Sequence, residues 1–272
     1  MEVANKRIDY LINYLLKEQN QVIKELPELD FKNKFNIYKS LCNIRSPNKI
    51  SEEYIENEKL FFNEFKKTRN IQSIDKIIPL SGKYSTITNK YKDVLALWQG
   101  DITILEVDAI VNAANSQGLG CFQPSHICID NLIHTYAGVA LRLECNEKML
   151  KIKNLETGKA FITSGKNLPA THVIHTVGPI IEYDVSESKM KDLSNCYLNC
   201  LELANEYNLK TIAFPCISTG LFRFPQELAC EIAINTTIKY LDTHENNFEK
   251  IIFNVYGDKD LIIYDNYIKN NL

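Results

Sequence analysis

The sequence has no apolar stretch approaching the roughly 18 to 20 residues needed to span a bilayer, and its opening run MEVANKRIDYLINYLLKEQ carries charges among its apolar positions. Neither a membrane span nor a secretion signal is read from it, so a cytoplasmic location is the expectation. A basic excess is also missing. The formal net charge is -3, from 31 Lys and Arg against 34 Asp and Glu, which argues against a general nucleic-acid binder. No internal repeat and no low-complexity linker interrupts the chain. Without a secretion signal, the eight cysteines are read as reduced thiols, either buried or bound to metal, and not as a disulfide framework.

What is present is ordinary globular material: 272 residues, 45% apolar and 24% charged. That length suits one large domain with an appendage. Ile8, Leu11, Ile12, Leu15 and Leu16 repeat at the three-and-four spacing of one helical face, which predicts an amphipathic helix needing a surface to pack on. A second helix is announced by Ser51 as N-cap, Glu52 and Glu53 in its first turn, and Lys66 with Lys67 near its end, all matched to the helix dipole. Ile50 and Ile55 are placed to form a hydrophobic staple. Residues 1–85 are therefore expected to be a helical extension that packs or docks, and 86–272 the main domain; no catalytic cluster stands out in the first part.

From about residue 90 short apolar runs alternate with helix-like segments. VLALWQG, AIVNAAN, AFITSG, HVIHTVG, TIAFPCIS and IIFNVYG are strand candidates, several of them apolar on both faces, as buried strands of a mostly parallel sheet should be. Helices are expected around 130–150, 188–207 and 225–241. This alternation predicts a three-layer α/β fold with a mixed, mostly parallel central sheet, whose ligands bind beyond the carboxyl ends of the strands.

Two strand-to-helix passages suit an anionic ligand. In AIVNAANSQGLGCFQPSHICIDNLIHTYAG, Gly118 and Gly120 permit close backbone approach, and the amides of Asn112 and Asn115 can meet a sugar. In AFPCISTGLFRFPQELACEIA, the backbone N–H groups of Ser218 through Phe222 could cradle a diphosphate, with Pro225 in the first turn of the next helix. Each alone could equally be a plain turn. Asp101, which follows the apolar run ending at Trp98 with Gly100 between, could accept from a base amine or be an exposed turn aspartate.

Cys121, His126 and Cys128 form a C-x4-H-x-C pattern beside Gly120 and Pro124. Two thiolates and one imidazole suit zinc, and three protein ligands leave a fourth position open for catalysis. The alternatives are a closed site completed by Cys145, Cys216 or His134, or thiols that bind nothing. Cys196 and Cys200 share one helical face and read as core; His172 and His175 read as satisfied strand histidines, with a general-base role as the alternative. Cys42, Cys230 and His244 belong to no constellation.

LWQGDIT, VDAIVNAANS, the GCF-x-P-x-H-x-C-IDN-x-IH segment, TG-x-A-x-IT, HTVGP and ISTG-x-F-x-FP, in that order, resemble the zinc-dependent macrodomains. The N-terminal part, including CNIRSPNKISEEY, is similar as well. The resemblance implies hydrolysis of mono-ADP-ribose from modified proteins, one Zn2+ per chain, and in some members a link to a sirtuin-type ADP-ribosyltransferase acting on a lipoyl carrier protein. It implies that Cys121, His126 and Cys128 bind zinc; that Asp101 takes the adenine amine and Ile102 adds a backbone contact; and that Asn115 meets the distal ribose. Cys128, Ile129 and Asp130 would line the distal ribose and diphosphate, Ser218, Thr219, Gly220 and Phe222 would hold the diphosphate, and Tyr256 would neighbour the adenosine. Asn115 and Asp130, with the zinc, would be the catalytic set, zinc serving either to lower the pKa of water or to polarise a ribose oxygen. Leu119 and Arg223 depart from the common pattern without removing a ligand. Two other readings stand beside the hydrolase: a module that reads ADP-ribose without cleaving it, and an esterase on O-acetyl-ADP-ribose with structural zinc.

Overall fold

A computed structural model of the chain describes residues 2–20, 29–124 and 126–272. Three helices come first: α1 (Glu2–Glu18), α2 (Phe31–Ile44) and α3 (Glu52–Lys66). The expected cap of α3 is in place, since the Ser51 hydroxyl accepts from Tyr54 N at 3.2 Å. The sequence reading passed over α2, which Asp30 caps by accepting from Asn33 N at 2.8 Å. Ile8, Leu11, Ile12 and Leu15 of α1 are buried against Tyr38, Phe61 and Phe62 in a cluster that reaches across to Tyr136 and Val139. Ile50 and Ile55 pack on that cluster too.

A short parallel pair, β1 (Gln72–Ser73) with β3 (Leu105–Glu106), and the single turn α4 (Leu80–Lys83) flank β2 (Leu95–Gln99). The remaining strands are β4 (Ala109–Ala113), β5 (Ala160–Ser164), β6 (His172–Thr176), β7 (Thr211–Phe214) and β8 (Lys250–Val255). They join β2 in a six-stranded sheet of order β2-β8-β7-β4-β6-β5. All pairings are parallel except β5 with β6. Every strand segment read from the sequence is thus a strand of this mixed, mostly parallel sheet.

Side chains alternate across it, as the period of two requires. Ile251, Phe253 and Val255 of β8 face one core, shared with α7 (Glu187–Glu206), α8 (Gln226–Thr243) and α9 (Asp258–Asn271), while Ile252 faces another, shared with α5 (Ile129–Ala137) and α6 (Val139–Ile152). This is the expected three-layer α/β architecture, and it places the carboxyl ends of the parallel strands on one edge.

The single helix expected around 130–150 is instead two. Gly138 lies between them at φ +84°, and a Cβ there would sit 2.2 Å from the Glu58 carboxylate. A left-handed residue with no room for a side chain ends one helix and starts the next. Helix α9 was likewise not expected. Among the described residues, no helix is long and apolar enough to cross a membrane.

Candidate functional site

The passage from β4 to α5 wraps tightly around its own side chains. Asn115 donates to Gly120 O at 3.1 Å and accepts from Gln117 N at 3.0 Å. The Asn131 amide donates to Gln123 O at 2.7 Å and to His126 O at 2.9 Å, pinning the far limb of the loop to α5. From outside, Arg142 donates to Leu119 O at 2.7 Å and stacks on the Phe122 ring at 4.4 Å. The loop needs its glycines: Gly118 and Gly120 have φ of +62° and +85°, and a Cβ on Gly120 would meet the His134 ring at 2.9 Å.

So held, the loop brings Cys121, His126 and Cys128 together. Cys121 Sγ is 3.4 Å from His126 Nδ1, and the three ligand atoms lie within 4.8 Å of one another, each half-buried. Ligands on a tetrahedral zinc stand about 3.3 to 3.8 Å apart, given bonds of about 2.1 Å to nitrogen and about 2.3 Å to sulfur. The donor set suits that ion, and the 3.4 Å approach of Cys121 to His126 falls in that range. Cys128 is also the N-cap of α5 and accepts from Asn131 N at 3.4 Å, a position that favours a thiolate. Burial nevertheless pushes its thiol up to about 12, with the neighbouring Asp130 and Cys121 adding to the rise. Among the described residues no fourth ligand joins this group.

His134 and Cys145 instead gather with His175 in a second, fully buried group. Both nitrogens of His175 already have partners, Asn112 at 3.1 Å and Thr163 at 2.9 Å. Burial lowers His175 to about 3 and His134 well below its ordinary value, so both rings are neutral. The 3.6 Å approach of His134 to Asp130 is therefore no ion pair and is too long for a hydrogen bond. Within this buried group beneath the loop His175 is hydrogen-bonded through both nitrogens, whereas neither ring nitrogen of His134 has a partner among the described residues. Asn112 belongs to it, fully buried, so the expectation that its amide meets a sugar is corrected: the period of two turns it to the face that α5 covers, where it donates to Asp130 Oδ1 at 2.8 Å.

Asp130, in the first turn of α5, thus has one oxygen fixed from below and the other 3.4 Å from the Asn115 amide. Burial raises its carboxyl to about 6, opposed by Asn112 and Arg142. Ile129 beside it packs into the core on the α5 face.

The second passage, after β7, holds Ser218 and Arg223 at positive φ, +66° and +60°. Phe224 N bonds to Ser218 O and Arg223 N to Gly220 O, both at 3.0 Å, closing a compact turn. Within it the N–H groups of Gly220, Leu221 and Phe222 have no partner among the described residues. Three adjacent free donors make an anion cradle. The loop lies against the residues after β6, with Ile181 N bonded to Phe222 O at 2.8 Å. A Cβ on Gly178 would fall 1.9 Å from Ser218 Oγ. Thr219 Oγ1 turns back to Cys216 O at 3.0 Å.

Asp101 caps the 3-10 turn Ile102–Ile104 just past β2, and Tyr256, 78% exposed, follows β8, whose Val255 pairs with Gln99. Ile102 itself is buried. The parallel sheet therefore sets Asp101, the metal-ligand loop, Asp130 and the Ser218–Phe222 turn past the carboxyl ends of its strands. Sequence reasoning missed Asn131, Arg142 and Arg69. The last two are ordinary basic residues until the fold brings their long-range partners to them.

Comparison with known proteins points to one family. The family model described as Macro domain matches residues 111–233. A "Protein-ADP-ribose hydrolase" of Staphylococcus aureus is 42% identical over 264 residues, covering 96% of this chain and 95% of that one. A "Probable bifunctional ADP-ribose hydrolase/ADP-ribosyltransferase" of Fusarium oxysporum is 48% identical over 178 residues, 62% of this chain and 30% of that one. An Oceanobacillus iheyensis macrodomain solved with ADPR is 35% identical, with a TM-score of 0.61 over 68% of this chain and 97% of that one.

Proposed function

Because the chain belongs to the macrodomain family, we propose that it is a zinc-dependent hydrolase that releases mono-ADP-ribose from modified proteins by cleaving the glycosidic bond at the distal ribose. The observation that carries this reading is the three-ligand group of Cys121, His126 and Cys128, set at the N-terminus of α5 two residues from Asp130. An ADP-ribose reader needs no such group. The names of the S. aureus and F. oxysporum relatives support the hydrolytic activity, and the ligand of the O. iheyensis macrodomain supports ADP-ribose.

In this reading the free N–H groups of Gly220 to Phe222 bind the diphosphate, with Ser218 and Thr219 shaping the turn. Asp101 accepts from the adenine amine and Ile102 adds its backbone. The diphosphate then orients the distal ribose towards Asn115, Cys128, Ile129 and Asp130. Asp130 is held on one side by Asn112, so its other oxygen fixes the ribose without a rotamer cost at the moment of reaction. Cleavage develops oxocarbenium-like charge on that sugar, and a fixed carboxylate beside it opposes that charge. Zinc, when bound, supplies Lewis acidity next to the bond being broken.

We place the macrodomain at 86–272 and regard 1–85 as its helical extension. A sirtuin-type ADP-ribosyltransferase acting on a lipoyl carrier protein would supply the substrate. The pairing of hydrolase and transferase in the name of the F. oxysporum relative supports the transferase part.

The test follows free ADP-ribose from a mono-ADP-ribosylated protein, using the metal-loaded chain, a chelator-stripped sample and a zinc-restored sample, with Cys128→Ala alongside. Release should vanish on stripping and return with zinc, and Cys128→Ala should lose both bound zinc and at least about a hundredfold in rate. Full turnover by a zinc-free Cys128→Ala would overturn the zinc mechanism. Tight ADP-ribose binding with no release from any linkage would make the protein a reader.

A further inference from the structure

The helical extension ends beside the adenine-facing side of the sheet, and one of its side chains reaches Asp101. Arg69, three residues past the end of α3, donates from Nη2 to Asp101 Oδ2 at 2.7 Å and to Thr103 Oγ1 at 2.8 Å. Its guanidinium lies 3.8 Å over the ring of Tyr136 on α5. The Arg69 side chain is 12% exposed and that of Asp101 34% exposed, so this is a partly desolvated pair, tied further through Thr103, and not a loose surface contact.

The lone pairs of Asp101 decide what that pair does. An ionised carboxylate offers about four acceptor positions and no donor. Asp101 Oδ1 accepts from Thr103 N at 2.9 Å and from Thr103 Oγ1 at 2.6 Å, which uses that oxygen fully. Oδ2 accepts from Arg69 and keeps one acceptor direction, on a side chain that is 34% exposed. Beyond the neighbouring strand lies the exposed ring of Tyr256, a surface on which a base could stack.

We propose that Arg69 is a specificity-determining residue for adenine: it locks the Asp101 carboxylate so that its one remaining acceptor direction meets the exocyclic amine of the base. The proposal rests on the ADP-ribose reading above and adds to it how the base is chosen and by which part of the chain. A fixed acceptor rewards a donor at the six position of a purine and penalises a carbonyl there, because two acceptors would face each other across a partly dry gap. Without Arg69 the carboxylate is held only by Thr103 at Oδ1, and Oδ2 has a second acceptor direction open to water whichever base is present. Arg69 acts through Asp101 and is thus a positioning residue.

The test measures dissociation constants of ADP-ribose and inosine diphosphate ribose on the full chain by calorimetry, for wild type, Arg69→Met and Arg69→Lys, with thermal unfolding of each. Wild type should prefer the adenine nucleotide by at least about tenfold, the value of a hydrogen bond to a charged group. Arg69→Met keeps an apolar stem on Tyr136 and should bring the two affinities within about threefold of each other. Arg69→Lys, a point charge without the planar fork, should fall between the two, at about half the logarithm of the wild-type ratio. A folded Arg69→Met with the wild-type ratio would overturn the proposal and leave the ADP-ribose reading intact. Should Arg69→Met not fold, a wild-type ratio in Arg69→Lys overturns it equally. A wild type that binds both nucleotides alike defeats the proposal alone, and one that binds neither defeats the underlying reading as well.

Discussion

Gly178 shows how much one residue can decide. It lies in the HTVGP run and carries no group that could do chemistry, yet the absence of its side chain lets Ser218 approach, where a Cβ would stand 1.9 Å from Oγ, 2.8 Å from Ile217 and 3.2 Å from the Ser218 Cβ. Rotating one hydroxyl cannot relieve all three contacts, so the turn itself must shift. Gly178→Ala is expected to weaken ADP-ribose binding by about tenfold or more, since a misplacement of about 1 Å can cost a hundredfold in a preorganised site. Calorimetry against ADP-ribose, with circular dichroism to show that the fold is kept, checks this; an unchanged affinity would mean that the Ser218–Phe222 turn does not hold the diphosphate. Cys121, His126 and Cys128 were legible in the sequence because their spacing is local. Asn131 was not, because an asparagine that holds loop carbonyls looks, in sequence, like any other asparagine.

The joint between α3 and the α5–α6 pair is the corresponding device among elements. Glu58 of α3 is buried and accepts from Tyr38 at 2.6 Å, Tyr54 at 3.3 Å and Val139 N at 3.1 Å, so it caps the N-terminus of α6 from another helix. Burial raises its carboxyl from 4.5 to about 7, with the two tyrosines and Val139 N working against that rise. The folded state therefore holds the proton more tightly than the unfolded chain does. Its contribution to stability is complete below pH 4.5 and is lost as pH rises through 7, by up to about 3 kcal/mol in all. Urea unfolding from pH 4 to 8 should show wild type losing stability relative to Glu58→Gln across that window; parallel curves would show that Glu58 does not titrate there. The sequence announced α3 through Ser51 and the six strands through their apolar runs. It did not announce the break at Gly138, because the reason for it, the Glu58 carboxylate, sits 80 positions earlier in the chain.

At the scale of the molecule, Arg142 ties the extension to the candidate site. Its guanidinium donates to Cys42 O at 2.7 Å, Asn43 O at 3.1 Å and Arg45 O at 2.6 Å, the carbonyl end of α2, and to Leu119 O in the metal-ligand loop. A cation at a helix C-terminus is favourable there, and it serves four carbonyls, of which Cys42 O also accepts from Arg45 N at 3.4 Å. Arg142→Met is expected to cost about 3 kcal/mol or more, from the acceptors it leaves unpaired, and to lower the zinc bound per chain as the loop loosens. Denaturant unfolding and metal analysis check both; full zinc content in a destabilised variant would separate the two roles. By itself the sequence determined the strands, the three-layer plan, the Cys121, His126 and Cys128 pattern and the family resemblance, because periodicity, capping and short motifs are written over neighbouring residues. The tertiary structure alone decided that Arg69 fixes Asp101, that Glu58 breaks a helix in two, that Asn112 faces inward and that Arg142 joins extension to loop. Each of those contacts links residues from 18 to more than 80 positions apart, and a distance of that kind is closed only by folding.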